Sequence, residues 1–168
     1  MCCLTQNTVE LLQVCRLMGL PAFERAQDAE YHLIAKAVDM GADGVMIPRT
    51  ESPEQLKTAV DALLFYPEGR KGSGGHAQFR KGEAYADFKK TRFLMPQIES
   101  PKGIEMLPKM LEEYGEYISN SYDKSCGIFC DDEVLAQKYR DMGCNVLWTS
   151  SDKDLLCSIP VINIHFIW

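Results

Sequence analysis

Residues 39–48 read DMGADGVMIP, and residues 141–150 read DMGCNVLWTS. Both run from a polar stretch through a glycine into a short apolar segment. Glycine just past a helix tolerates the left-handed backbone that closes it. The apolar segment that follows suits a strand covered on both faces. One αβ unit is therefore used more than once, which implies an α/β fold on a parallel sheet.

The same alternation extends outward from these two phrases. Residues 5–18 carry Val9, Leu11, Leu12, Cys15 and Met18 near helical spacing, and Gly19 stops the run. LPAFER (20–25) reads as a short strand. YHLIAKAVDMG (31–41) is an amphipathic helix with Leu33, Ile34, Ala37 and Val38 on one stripe and Gly41 past its end. DGVMIPR (43–49) is the next strand. Ser52-Pro53-Glu54-Gln55 is a capping box with proline in the first helical position, opening a helix with Leu56, Ala59, Val60, Leu63 and Leu64 on one face. After a glycine-rich loop, RFLMPQIES (92–100) is a strand, and Ser100-Pro101 starts a helix to about Tyr114. SCGIFC (125–130) is a strand, Asp131 to Met142 a helix, NVLWTS (145–150) a final strand, and Ser151 caps a short last helix.

Composition narrows the function. The 168 residues are 46% hydrophobic and 25% charged, ordinary for a soluble globular chain long enough for one domain with a real core. A net charge of −6 and the lack of any basic run argue against nucleic acid as a partner. No apolar stretch reaches membrane-spanning length and no signal-peptide pattern opens the chain, so a cytoplasmic protein is expected. The seven cysteines include no paired C-x-x-C with zinc spacing, and Cys126 and Cys130 read as small buried hydrophobes with reduced thiols.

Alternate side chains of a strand point to opposite faces, so Phe93, Met95, Gln97 and Glu99 share one face of RFLMPQIES. In parallel α/β folds the carboxyl ends of the strands form the active face. Arg25, Arg49, Gln97 and Glu99 all stand at such ends.

Five segments together resemble the HpcH/HpaI aldolase family of (β/α)₈ barrels. They are LPAFER, YHLIAKAVDMGADGVMIPR, SPEQLKTAVDALLFYPEGRKGSGG, FLMPQIESPKGIEMLP and CGIFCDDEVLAQKYRDMGCNVLWTSSD, in the family's order over residues 8 to 156. The resemblance implies a class II aldolase that uses a divalent metal (Mg²⁺, Mn²⁺ or Co²⁺) to cleave 4-hydroxy-2-oxo acids to pyruvate and an aldehyde. Glu99 is then similar to one of the two carboxylate metal ligands and Gln97 to the neighbouring site glutamine. Arg25 is similar to the arginine that steadies the enolate oxygen, and Phe129 stands where an apolar side chain lines the pyruvate pocket. Members form homo-oligomers. A catalytically inactive relative acting as an interaction protein, and a CoA-ester lyase of the same superfamily, are the alternatives.

The chain also departs from that pattern. A (β/α)₈ barrel takes about 250 residues, and only five strands are counted here. The expected domain is thus a single partial barrel over residues 1–168, ending in a divergent apolar tail at 157–168. The first two family strands, with their acid/base residues, would precede Thr5. The strand ending in Gly-Pro-x-Asp, whose aspartate is the second ligand, is missing near Asn120–Asp123. Glu24 takes a position expected to face the surrounding helices, where a buried carboxylate is costly. The loop EGRKGSGGHAQFRKGE (68–83) lacks the Gly-Lys-Ser/Thr ending of a phosphate loop. It is expected to be a mobile segment near the site or a subunit contact, and His76 within it is the histidine put forward for acid–base work.

Overall fold

The computed structural model describes residues 6–75, 78–118, 127–129, 133–142 and 146–148. It divides into two compact units, Met1–Tyr122 and Asp123–Trp168.

The first unit is built on three parallel strands, β1 (Phe23–Arg25), β2 (Gly44–Ile47) and β3 (Phe93–Pro96), in that spatial order. Phe23, Gly44 and Phe93 lie in register, as do Arg25, Met46 and Met95. Helices α1 (Gln6–Leu17), α2 (Tyr31–Asp39), α3 (Pro53–Leu63) and α4 (Pro101–Ile118) complete the βα alternation, with a 3₁₀ segment at Tyr85–Thr91. Val45, Ile47 and Leu94 point to the helices and join Ile34, Val38, Leu56, Val60 and Met110 in the core. That face of the sheet therefore holds most of the hydrophobic burial that stabilises the unit.

Local signals behave as their chemistry dictates. Gln55 donates its backbone N–H to Ser52 Oγ at 3.4 Å and its side-chain oxygen accepts from the Ser52 N–H at 3.1 Å, closing the capping box at α3. Gly19 and Gly41 take φ of 73° and 110° past the ends of α1 and α2. Two readings need correction in extent. Helix α4 runs to Ile118 rather than Tyr114 and carries Pro108 inside it. Helix α1 buries Leu12, whereas Leu11 and Met18 are exposed.

On the sheet's other face Gly44 makes room for an aromatic ring, since a Cβ there would meet the Phe23 ring at 2.3 Å. Phe23 lies beside Phe93 with ring centroids 6.0 Å apart, and both are partly exposed. Glu24 points the opposite way and is half-buried, and burial raises its carboxyl above the ordinary value.

The second unit pairs β4 (Gly127–Phe129) in parallel with β5 (Val146–Trp148), with α5 (Glu133–Asp141) between them in sequence. This is one more βαβ step. Cys126, Cys130, the Asn120–Asp123 seam, the helix expected after Ser151 and the 157–168 tail lie outside the described residues.

Candidate active site at the strand carboxyl ends

Arg25 closes β1, and Gln97 and Glu99 lie in the turn that follows β3. The fold brings Arg25 and Gln97 together across the sheet. Arg25 Nε donates to Gln97 Oε1 at 2.8 Å, although 72 residues separate them. Arg25 is exposed, and among the described residues it makes no ion pair. Its planar charge is therefore oriented by a neutral amide and left uncompensated. Backbone bonds fix the amide's position, from Gln97 N to the Ile47 carbonyl at 2.8 Å and from Thr50 N to the Gln97 carbonyl at 2.9 Å.

Glu99 is held from β2. Its Oε2 accepts the Arg49 backbone N–H at 2.9 Å. Arg49 sits at φ 47°, the left-handed region that non-glycine residues seldom enter. Three further bonds fasten it there. Its guanidinium reaches Asp28 Oδ2 at 3.1 Å and the Gln27 carbonyl at 3.4 Å, while its own carbonyl accepts from Gln55 Nε2 at 3.2 Å. Gln55 thus caps α3 and secures the turn that presents Arg49 to Glu99. The neighbouring turns are tied together as well, since Ser100 Oγ donates to Glu51 Oε1 at 2.6 Å. That bond, then the nearby Lys102 and Arg49 charges, keeps the Glu51 carboxyl below its ordinary value against a smaller desolvation effect. A backbone this over-determined beside a polar cluster is characteristic of functional sites.

Three of the four sequence-derived site residues, Arg25, Gln97 and Glu99, therefore meet at one end of the first unit. Phe129 lies in β4 of the second unit, and its side chain, like His76, lies outside the described residues. Sequence reasoning placed Arg49 at a strand end without seeing its role. The Pro48-Arg49 pair carries no local sign of a left-handed turn, and its partner Glu99 is fifty residues away.

The divalent cation implied by the resemblance finds an incomplete donor set here. Glu99 offers one carboxylate with an oxygen already committed to Arg49, and the Gln97 amide oxygen is committed to Arg25. Among the described residues no group of three His, Cys, Asp or Glu side chains is placed to hold a metal ion. Hard cations rely on several oxygen ligands. These residues alone do not make a metal centre.

For the 68–83 loop, expected near the site or at a subunit contact, two anchor points bear on the first alternative. Its Lys71 pairs with Asp39 at the end of α2, and its Arg80 reaches Asp43 just before β2. Both anchor points are at the amino ends of the strands, away from Arg25 and Gln97.

Parallel strands with intervening helices and a polar cluster at the strand carboxyl ends define an α/β chain with its site on the active face of a parallel sheet. The family model for HpcH/HpaI aldolase/citrate lyase matches residues 5–116, and the chain belongs to that family. A hydroxypyruvate/pyruvate aldolase of Delftia acidovorans is 25% identical over 178 residues, covering 83% of this chain and 66% of that protein. A 2-dehydro-3,6-dideoxy-6-sulfogluconate aldolase of Pseudomonas putida is 32% identical over 62 residues, covering 37% of this chain and 24% of that protein. The crystal structure of an HpcH/HpaI aldolase from Desulfitobacterium hafniense superposes with a TM-score of 0.73 at 21% identity, covering 89% of this chain and 73% of that one. The chain spans 66%, 40% and 63% of three hydroxypyruvate/pyruvate aldolases it matches. No helix among the described residues is long and apolar enough to cross a membrane.

Proposed function

We propose that the chain acts on small 2-oxo acids as a carbon–carbon lyase, cleaving a 4-hydroxy-2-oxo acid to pyruvate and an aldehyde. The observation that carries this reading is the Arg25 guanidinium, oriented by Gln97 at 2.8 Å and free of a carboxylate partner among the described residues. In retro-aldol cleavage the C4 hydroxyl gives up its proton and the C3–C4 bond breaks. The bond's electron pair moves into the C2 carbonyl, leaving pyruvate enolate, which takes a proton at C3. Charge develops on the C2 oxygen, and a preoriented cation near that oxygen lowers the barrier. Arg25 is the catalytic residue that does this, and Gln97 positions it and binds substrate. Glu99 would contribute one ligand to a divalent metal. The family match and the aldolase relatives support the reaction class.

Pyruvate release from a 4-hydroxy-2-oxo acid, coupled to lactate dehydrogenase with and without Mn²⁺, tests it. Arg25→Gln is expected to lower kcat by ~10²–10³-fold, the usual weight of one oxyanion-stabilising donor. Turnover unchanged in Arg25→Gln would remove Arg25 from the mechanism.

A second reading, a binding protein built on the same sheet, is favoured by the single-carboxylate donor set at Glu99. It expects the same 2-oxo acids to bind at Arg25 without measurable turnover in the assay above.

A further inference from the structure

We propose that Arg49 is a positioning residue of the candidate active site, acting through its left-handed backbone rather than through its charge. It sets Gln97 and Glu99 directly, and Arg25 through Gln97. The inference deepens the lyase reading and rests on it for the choice of ligand, but one arm of its test needs no ligand at all.

Residues 47–50 carry the chain out of β2, and bonds from this turn reach the polar residues beyond the other two strands. The Ile47 carbonyl accepts the Gln97 N–H at 2.8 Å, and the Thr50 N–H donates to the Gln97 carbonyl at 2.9 Å. Between them in sequence, the Arg49 N–H donates to Glu99 Oε2 at 2.9 Å. Gln97 is thus held at both of its backbone groups, and its side-chain oxygen in turn accepts from Arg25 Nε. On the β1 side the Ala26 N–H donates to the Met46 carbonyl at 2.9 Å, and the Arg49 guanidinium takes up the next two residues, Gln27 and Asp28. The segments that follow β1, β2 and β3 therefore converge on one residue.

The backbone conformation makes this possible. The N–H groups of Arg49 and Thr50 are consecutive, yet both are directed at the segment after β3. A left-handed residue lets successive N–H groups converge in that way, and φ is 47° at Arg49. Pro48 fixes its own φ just ahead of it, and the buried Thr50 closes the turn by donating its hydroxyl to the Ile47 carbonyl at 3.1 Å. The charge contributes less. Arg49 and Asp28 side chains are 62% and 54% exposed, and an exposed ion pair is a weak tie.

Three substitutions separate backbone from charge, since all of them remove the guanidinium. Glycine and asparagine enter the left-handed region readily, whereas valine, branched at Cβ, is an outlier there. The Arg25 Nε–H resonance of the isotope-labelled full chain reports the bond to Gln97 without any ligand. It should stay near its parental position in Arg49→Gly and Arg49→Asn, and move toward that of free arginine in Arg49→Val. Calorimetric titration of oxalate should follow the same order, within about threefold of the parent for Arg49→Gly and Arg49→Asn and weaker by at least about tenfold for Arg49→Val, because a small misplacement of a binding group is costly. Urea unfolding checks that Arg49→Val is folded. If it is not, Arg49→Ala takes its place and should show the same displacement in smaller measure. An unmoved Arg25 signal in the folded Arg49→Val or Arg49→Ala chain overturns the assignment. So does a displacement as large in Arg49→Gly as in Arg49→Val, which would give the role to the guanidinium. A parent that binds no oxalate, with the Arg25 signals still in the expected order, would count against the lyase reading and support the positioning role.

Discussion

Arg92 and Arg25 flank strands of the same sheet, yet Arg92 is fully buried against Glu83 at the amino end, and Arg25 is exposed beside a neutral amide at the carboxyl end. The Arg92 guanidinium donates to both Glu83 oxygens at 3.0 and 3.1 Å, is closed off from solvent, and lies 4.2 Å from the Phe88 ring centroid. Phe88 in turn packs among Phe65 and Phe79 with centroids 4.7 and 5.1 Å away. Asp43 completes the same end, fully buried and fully bonded. Arg92 and Asp43 at the amino end thus have charged partners within the fold, whereas Arg25 at the carboxyl end has none among the described residues. Where a charge is spent decides whether the residue serves stability or chemistry.

The largest expected effect breaks the buried end. Glu83→Ala leaves Arg92 charged in a closed aromatic setting and should cost ~3–5 kcal/mol of unfolding free energy in urea titrations. Arg25→Gln, measured alongside, should stay within about 0.5 kcal/mol of the parent, as an exposed substitution does. Equal losses at the two ends would erase the distinction drawn between them.

Acid should reveal the same contrast through Glu83. Burial alone would raise its carboxyl, but bonds from Thr91, the Arg80 N–H and Arg92 outweigh it and hold it below the ordinary 4.5. A carboxyl depressed on folding contributes stability above its unfolded pKa and loses it as pH falls through the folded one. The parent should therefore lose stability as the pH drops below about 4.5, and Glu83→Ala should lose less over that interval. Melts across pH 3 to 6 measure it, and parallel curves for the two proteins would count against the assignment.

Glu24 gives a smaller effect of opposite sign. Its carboxyl is raised by burial, so the folded state favours the neutral form below the ordinary pKa and loses that contribution as pH rises through the folded value. Glu24→Gln should stabilise the chain at pH 7 by up to about 1 kcal/mol, reduced from a fully buried value because the side chain is half-exposed. The gain should disappear below pH 4. A destabilised Glu24→Gln at pH 7 would show that the carboxylate has a partner worth keeping.

The carboxyl end was more legible in the sequence than the amino end, and the reason is distance along the chain. DGVMIPR and RFLMPQIES announce strands by their apolar runs, and alternation then puts Gln97 and Glu99 on one face. Ser52 to Gln55 specify a helix start within four residues. Asp43, by contrast, gives a weak hint only, a carboxylate between Ala42 and Gly44 at the mouth of a buried strand. Its partner Arg80 lies 37 residues later in a loop without periodicity, so no local pattern joins them. The same holds for Arg49, whose left-handed turn depends on Glu99, Gln55 and Asp28 rather than on its neighbours. Short-range chemistry writes elements into a sequence, and long-range pairing is written only in the fold.

The central claim is that the Arg25 charge is held ready for a 2-oxo acid enolate. Oxalate, a planar dianion shaped like pyruvate enolate, probes it without requiring turnover. Calorimetric titration of oxalate into the parent chain should show saturable binding, and Arg25→Gln should weaken it at least about tenfold, as loss of a charge-assisted pair does. The urea midpoint of Arg25→Gln should stay close to the parent's. Oxalate binding of equal strength in the two proteins, at equal stability, would contradict the account.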